Sequence, residues 1–410
     1  MKKASIVSVG NELLAGRTVD TNAAYLAGQL LSIGIPVVSV YTVGDEIDAI
    51  IQKLKLAGDD GDIVLATGGL GPTDDDLTRQ AFAKYLGVEL ELRDELLNKI
   101  RVFFTSRNLQ MPASNKIQAH IPAGAKALDN KIGTAPKIMA TSKGRLFIAM
   151  PGVPTEMKEM FWQVLPQLRQ FAAGQSVTTR ILKCFGAGES TIAGLLGVLM
   201  RRGRNPLVNC TVQNGVVTLY VIAADTDSDK AMQLAEKDER TLRNKLGDLV
   251  FGTAEQSLEG IVGEKLARQG KTIATAESCT GGLLAKMLTD VPGSSRYFLQ
   301  GWVTYSNSSK ISELGVPAEL LEKYGAVSEQ VAAAMAKGAR DRAKADYAVG
   351  ITGIAGPTGQ TAAQPTGLVY IGIASEMLSR TERFIFGGDR QAVRIRTAQT
   401  ALNLLRLTLL

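Results

Sequence analysis

Ser278, Cys279 and Thr280 stand side by side in ATAESCTGG, residues 274–282, with two glycines behind them. Each is a candidate nucleophile, and each needs a group to take its proton. A cysteine attacks as the thiolate, which calls for a histidine partner or a helix N-terminus. The chain has a single histidine, His120, far from this stretch and followed by Ile121-Pro122. It reads as a surface or packing residue. A Ser–His–Asp arrangement fails for the same reason, and lysine is the usual substitute base. Lys271, Lys286, Lys310, Lys323, Lys337 and Lys344 lie in the same third of the chain. Lys310 stands apart. VTYSNSSK ends a strand near Tyr305, turns through Ser306 and Asn307, and puts Lys310 in the first turn of the next helix. There the helix dipole opposes a cation and lowers its pKa. Tyr305 and Lys310 can reach one strand-end cleft. Ser278 is therefore the expected nucleophile, with Cys279 packing beneath the turn and Thr280 capping the following helix. Glu277 either sets the charge on Lys310 or serves as a helix-start carboxylate.

Two more clusters suit that cleft. GITGIAGPTG, residues 350–359, is a strand running into a turn through Thr352, Gly353 and Gly356. Its amides, or those of Thr280 and Gly281, could hold an oxyanion or a phosphate. GGDRQAVR places Arg390 at a helix start and Arg394 one turn on, either able to grip phosphate.

A second chemistry lies near the N-terminus. TGGLGPTDDDLT, residues 67–78, follows a strand and precedes a helix, the position of a phosphate loop. It has neither the Gly-Lys-Ser/Thr ending of a Walker loop nor the third glycine of a dinucleotide fingerprint. Asp74, Asp75 and Asp76 would repel phosphate unless a hard divalent cation stood between. Glu12 follows the first strand and Asp45 the second, so three acidic loops share one sheet edge. Asp20 in RTVDTN reads as a helix cap.

The elements that must position these groups alternate. Strands at 5–10, 36–44 and 62–69 are separated by helices at 21–33 and 46–57, and a helix at 156–170, kinked at Pro166, closes the unit. That βαβαβ order predicts a parallel, doubly wound sheet with ligands beyond the strands' carboxyl ends. Residues 171–252 read as a small α+β segment carrying no chemistry. Residues 253–410 form a second α/β domain, its last helix capped by Asp389. The expected class is two α/β domains with mainly parallel sheets joined by that segment, with boundaries at 1–170, 171–252 and 253–410.

Composition narrows the function. A net charge of +6 over 410 residues is mild, and the densest basic run, Arg201–Arg204, reads as a solvated loop. Nucleic acid is not an expected partner. Three cysteines without paired spacing fit a reducing cytoplasm. The start, MKKASIVSVGNE, reads as a first strand rather than a signal peptide. No uninterrupted apolar run is long enough for a membrane span.

GNELLAGRTVDTN, GGLGPTDDDLTR and MPGVPTEM together resemble the N-terminal domain of the competence/damage-inducible CinA family, over most of residues 1–170. That domain is similar to the molybdopterin-binding fold. The resemblance implies metal-dependent ADP-ribose pyrophosphatase activity, with Mg, Mn or Co and potassium as a further candidate cation. The resemblance maps functional positions onto Asp45 and Asp76; with Glu12 and Asp75 from the acidic loops they are the expected metal ligands, and Gly69, Gly71 and Asn22 the expected substrate contacts. AESCTGG, VTYSNSSK, TGIAGP and GGDRQAVR resemble the family's C-terminal domain, the nicotinamide-nucleotide amidohydrolase (PncC) family, over about 255–410. This implies cofactor-free hydrolysis of nicotinamide mononucleotide to nicotinate mononucleotide and ammonia. The carried-over roles are Ser278 as nucleophile, Lys310 as base, and Tyr305, Thr352 and Arg390 as supporting or binding residues. The loop GPTGQTAAQPTG departs from the family's usual glycine- and charge-rich version. A homodimer is the expected assembly. The rival readings are a deamidase with a non-catalytic or molybdopterin-binding N-terminal module, and an interaction protein in DNA uptake or repair.

Overall fold

The run ASIVSV is largely apolar and shows no clean polar face, and the computed structural model shows why. Ala4 and Ile6 belong to one buried cluster with Leu26, Leu30 and Met157, while Val7 and Val9 belong to another with Ile50, Leu54 and Phe82. A strand covered on both sides has no polar face to alternate. The structure describes residues 2–171 and 176–409. The chain divides into two compact units, Met1–Thr178 with Ala223–Gln233, and Thr179–Ile222 with Leu234–Leu410.

The first unit carries β1 (Ala4–Val9), β2 (Val37–Val43), β3 (Ile63–Thr67), β4 (Leu90–Leu92), β5 (His120–Pro122), β6 (Lys126–Leu128), β7 (Lys137–Ser142) and β8 (Arg145–Met150). Its helices are α1 (Asn11–Leu14), α2 (Thr21–Ser32), α3 (Ile47–Asp60), α4 (Thr78–Leu86), α5 (Asp94–Thr105) and α6 (Pro154–Phe171). The main sheet runs β2-β1-β3-β8-β7-β6. Pairings among β2, β1, β3 and β8 are parallel, and β7 and β6 add antiparallel. Asp20 caps α2 by accepting from the Ala23 N–H at 2.9 Å, as expected. α6 continues on both sides of Pro166. His120 is half-buried, its Nδ1 3.2 Å from the Lys116 carbonyl.

Lys137 is the odd residue of this core. It is fully buried, and Nζ donates to the Met160 carbonyl at 3.0 Å, with no ion pair to a carboxylate among the described residues. Burial lowers its pKa to about 8. Between pH 8 and the ordinary lysine value the unfolded chain binds more protons than the folded one, so stability rises with pH across that window. The full span is worth about 3 kcal/mol at about 1.4 kcal/mol per pKa unit. Lys137→Met removes the penalty. It is expected to raise the melting temperature of this unit at pH 7, and calorimetry should show the advantage shrinking toward pH 9.5. A pH-independent difference would show that charge burial is not the cause.

Residues 176–253 build a four-stranded sheet from β9 (Ser176–Cys184), β10 (Leu207–Gln213), β11 (Val216–Asp225) and β12 (Val250–Thr253), ordered β10-β11-β9-β12. α7 (Glu189–Leu196) and α8 (Ser228–Leu246) accompany it. β9, β11 and α8 match the sequence pattern; α7, β10 and β12 escaped it. The expected boundary leads into residues 172–175, which lie outside the described residues.

The remaining sheet is β14-β13-β15-β16-β17. Its strands are β13 (Ile273–Glu277), β14 (Phe298–Val303), β15 (Tyr347–Gly353), β16 (Leu368–Ala374) and β17 (Ser379–Ile385). β14, β13 and β15 are parallel, and β16 and β17 return antiparallel, so this sheet is more mixed than the N-terminal one. α9 (Leu258–Gln269), α10 (Leu283–Thr289) and α14 (Arg390–Thr408) contribute to one buried cluster. α11 (Asn307–Leu314), α12 (Ala318–Tyr324) and α13 (Glu329–Ala343) contribute to another. Asp389 caps α14 through the Ala392 N–H. No helix among the described residues is long and apolar enough to cross a membrane.

Candidate active sites

The parallel strands of the C-terminal sheet end together, and the predicted residues gather there. Ser278 follows β13 directly, and its N–H donates to the Ile351 carbonyl on β15 at 3.0 Å. Lys310 sits in α11, whose N-cap Ser306 accepts from the Ser309 N–H. The side chain is 1% exposed, and Nζ lies 3.3 Å from Ser278 Oγ. Nζ also donates to the carbonyls of Thr304 at 2.8 Å and Tyr305 at 3.4 Å. Those two acceptors account for both hydrogens of a neutral amine, and the remaining approach faces Ser278 Oγ. Burial lowers the pKa of Lys310, opposed by the neighbouring Cys279, and among the described residues no carboxylate counters it.

The turn 278–282 is held from below. Glu277 is fully buried and accepts from the N–H groups of Leu284 at 3.1 Å and Ala285 at 2.8 Å. It is the helix-start carboxylate of α10, and it does not set the charge on Lys310. The cap expected of Thr280 is corrected accordingly. Thr280 Oγ1 is buried without a partner, and Glu277 fills the capping role. Gly281 and Gly282 take φ of +59° and +90°, the left-handed geometry that lets the chain fold back into α10. No hydrogen bond within the described residues takes the N–H of Thr280 or of Gly282. Cys279 is buried in the core, and burial pushes its thiol up to about 12. It is a protonated packing residue at neutral pH.

The arginines divide their work. Arg394 grips the Thr280 carbonyl through Nη2 at 2.7 Å and Nε at 3.2 Å, so it holds the nucleophile turn. Arg390 is exposed, donating to the Gly356 carbonyl at 2.8 Å and the Tyr305 hydroxyl at 2.9 Å. Tyr305 is 60% exposed. Thr352 is buried with its hydroxyl donated to the Ala326 carbonyl, which ties the α12–α13 connection to β15. Gly353 ends β15 where an added Cβ would sit 2.6 Å from the Leu368 carbonyl oxygen.

In the N-terminal unit Glu12, Asp45, Asp75 and Asp76 line one cavity of about 410 Å³ with Gly69, Gly71, Pro151 and Gly152. Asp45 is held above the usual carboxylate range by burial, opposed by the Asn11 N–H and reinforced by Asp75, Glu12 and Asp76. Asp76 is committed to its own loop: it accepts from the N–H groups of Gly71 at 2.7 Å and Thr73 at 2.9 Å. The Gly71 amide is therefore not free for phosphate. Gly69 has φ +64°, and an added Cβ would lie 2.3 Å from Thr78 Oγ1. Asn22 reaches the back of the same edge, donating to Thr67 Oγ1 and the Gly152 carbonyl. Among the described residues no three carboxylates converge on one point. All-oxygen donors on facing loops fit a hard cation shared with a substrate's phosphate oxygens, not one caged by protein alone.

Two residues went unnoticed in the sequence. Glu156 also lines this cavity. Arg79, fully buried beneath the loop, donates to the carbonyls of Leu70 at 2.5 Å and Gly71 at 2.7 Å. Both stand inside motifs that drew attention, MPGVPTEM and DDDLTR.

Fold and sites define a multidomain α/β protein. Residues 5–170 match the probable molybdopterin binding domain, 179–252 the damage-inducible protein CinA KH domain, and 255–409 the CinA C-terminal domain. The chain belongs to the competence/damage-inducible CinA family. A relative from Caldicellulosiruptor saccharolyticus named for competence-damage induction is 41% identical over 408 residues, spanning 99% of each chain. A CinA-like protein from Kosmotoga olearia is 40% identical over 409 residues, covering 100% of this chain and 99% of its own. The crystal structure of the protein CinA from Thermoplasma acidophilum covers 41% of this chain and 98% of its own, at 34% identity and a TM-score of 0.39.

Proposed function

We propose that the C-terminal domain deamidates nicotinamide mononucleotide through a Ser–Lys pair. The observation that carries this is a buried lysine 3.3 Å from a strand-end serine, with no carboxylate to hold it charged. Ser278 Oγ attacks the carboxamide carbon as Nζ of Lys310 takes the hydroxyl proton. The tetrahedral oxyanion faces the Thr280 and Gly282 amides. Lys310 returns the proton to nitrogen, the C–N bond breaks and ammonia leaves. Water, deprotonated by Lys310, then releases the acyl group and restores Ser278. Arg390, exposed beside Tyr305, is the cation for the nucleotide phosphate. The test is ammonia release from nicotinamide mononucleotide, and no release would sink the reading.

For the N-terminal domain we infer cleavage of ADP-ribose to AMP and ribose 5-phosphate. A divalent cation held partly by a carboxylate of this cavity (Asp45, Glu12 or Asp75) and partly by the substrate's own phosphate oxygens would neutralise diphosphate charge during attack by water. AMP formation from ADP-ribose is expected to vanish in chelator and return with Mg, Mn or Co, while ammonia release survives the chelator. Cation-dependent binding of molybdopterin without any AMP would favour the binding-module reading instead.

The reading as a DNA-interaction protein gains little from the KH match. A KH loop clamps the nucleic-acid backbone between two glycines. Here the residues between Gly194 and Gly197 are Leu195 and Leu196, and Leu196 is buried.

A further inference from the structure

A second cavity of about 410 Å³ lies on the α5 side of the first unit, and Thr134 lines both it and the carboxylate cavity. The wall between them is the segment 130–135. Asn130 organises it: Oδ1 accepts from the N–H groups of Ile132 and Gly133, and Nδ2 donates to the Ala135 carbonyl and to Glu156 Oε2. Asn130 lines the second cavity and Glu156 the first, so one hydrogen bond ties the two chambers together. Gly133 is fixed in this wall, because an added Cβ would fall 2.3 Å from Glu156 Oε2.

The chambers differ in chemistry. The first is walled by carboxylates. The second has an apolar floor of Leu96, Ile100 and Pro136 beside Phe103. Arg107 lies over the Phe103 ring with its guanidinium carbon 3.6 Å from the centroid, and Nη1 donates to the Phe103 carbonyl. Of the other cations here, Lys99 is paired with Asp129 at 2.6 Å, and Lys131 also lines the cavity. A guanidinium this close over an aromatic ring offers its outer side to a heteroaromatic base, which stacks on it. An apolar floor suits such a ring and not a phosphate.

We propose that this second cavity is the purine-nucleoside subsite for a diphosphate-linked nucleotide whose diphosphate and cation occupy the carboxylate cavity. The assignment rests on the pyrophosphatase reading above and specifies which half of ADP-ribose enters where: the adenosine passes Thr134 into the Phe103–Arg107 chamber, and the terminal ribose phosphate stays on the other side of the diphosphate.

The full-length protein, wild type and Arg107→Ala, is titrated calorimetrically with AMP, adenosine and ribose 5-phosphate in chelator, where no cation can hold phosphate. Arg107 is exposed, so its truncation leaves the core intact. The expected result is that AMP and adenosine bind the wild type, that Arg107→Ala weakens both about tenfold, and that ribose 5-phosphate does not displace them. Equal AMP binding by both proteins, displacement by ribose 5-phosphate, or no AMP binding at all would overturn the subsite. With metal restored, Arg107→Ala is expected to raise KM for ADP-ribose about tenfold at unchanged kcat. If the wild type forms no AMP from ADP-ribose yet shows the chelator binding pattern, the pyrophosphatase reading fails and the nucleoside subsite stands.

Discussion

Lys310→Met is expected to lower kcat/KM for deamidation of nicotinamide mononucleotide by about 10³- to 10⁴-fold, and Ser278→Ala by at least as much. Methionine keeps the unbranched, apolar stem of Lys310 at nearly its length and removes the basic nitrogen. Lys310→Arg sharpens the test. A guanidinium can still donate to the Thr304 carbonyl, but it cannot surrender its proton at any working pH. If Lys310 acts as the base, arginine is as inactive as methionine; if it merely props up the turn, arginine restores much of the rate. The pH profile supplies an independent readout. Burial lowers the pKa of Lys310, so the rate should rise with pH along a limb whose midpoint lies below the ordinary lysine value of 10.5. Cys279→Ala is the control. Its thiol is protonated and packed in the core, so the variant keeps most of the rate. Full activity in Lys310→Met would remove the mechanism outright.

The sequence reveals this pair for a physical reason. With one histidine in the chain, the base had to be something else, and only Lys310 stood at a strand-to-helix turn of the right domain. Parallel strands then brought two distant turns to one edge, as their topology requires. What pattern cannot reveal is the direction of a hydrogen bond. Thr280 and Glu277 are both plausible caps for α10, and the choice fell to Glu277 because its carboxylate reaches two amides from the strand below. Arg390 and Arg394 are equivalent by spacing, yet Arg394 is engaged by the Thr280 carbonyl and Arg390 is left at the surface. The hairpin β7–β8 passed unread although Lys143 and Gly144, both at positive φ, form the two-residue turn that joins it. β10 and α7 were missed too.

The acidic loop shows the same limit more sharply. Of the three consecutive aspartates, Asp75 and Asp76 are the expected ligands, but Asp76 is spent on the loop itself. Asp76 takes the Gly71 and Thr73 amides, while buried Arg79 takes the Leu70 and Gly71 carbonyls. The peptide units around Gly71 are thus clamped from both sides by opposite charges, while Asp75 and Asp76 both line the cavity.

Arg79→Met tests that clamp, and the magnitudes make an unusual forecast. The variant loses two hydrogen bonds from a charged donor, each worth about 1.5–3 kcal/mol. It also sheds the cost of burying a guanidinium. Burial pushes Arg79 down to about 10, a depression equivalent to about 3 kcal/mol. The two terms partly offset, so thermal stability should fall by no more than about 3 kcal/mol. The loop, however, loses the group that fixes its carbonyls, and Asp76 alone cannot hold the amides in register. Chelator-sensitive AMP formation from ADP-ribose should therefore fall by about 100-fold or more, the scale of a small misplacement of catalytic groups. Hydrogen exchange gives the readout that activity cannot: the Gly71 and Thr73 amides, protected by Asp76 in the wild type, should exchange faster in Arg79→Met while amides of β1 and β3 keep their protection. Arg79→Lys should recover only part of both effects, since a single ammonium cannot span two carbonyls with the fixed fork of a guanidinium. Unchanged exchange at Gly71 together with wild-type AMP formation would show that Arg79 is a passive part of the core, and that the geometry of the carboxylate cavity is set elsewhere.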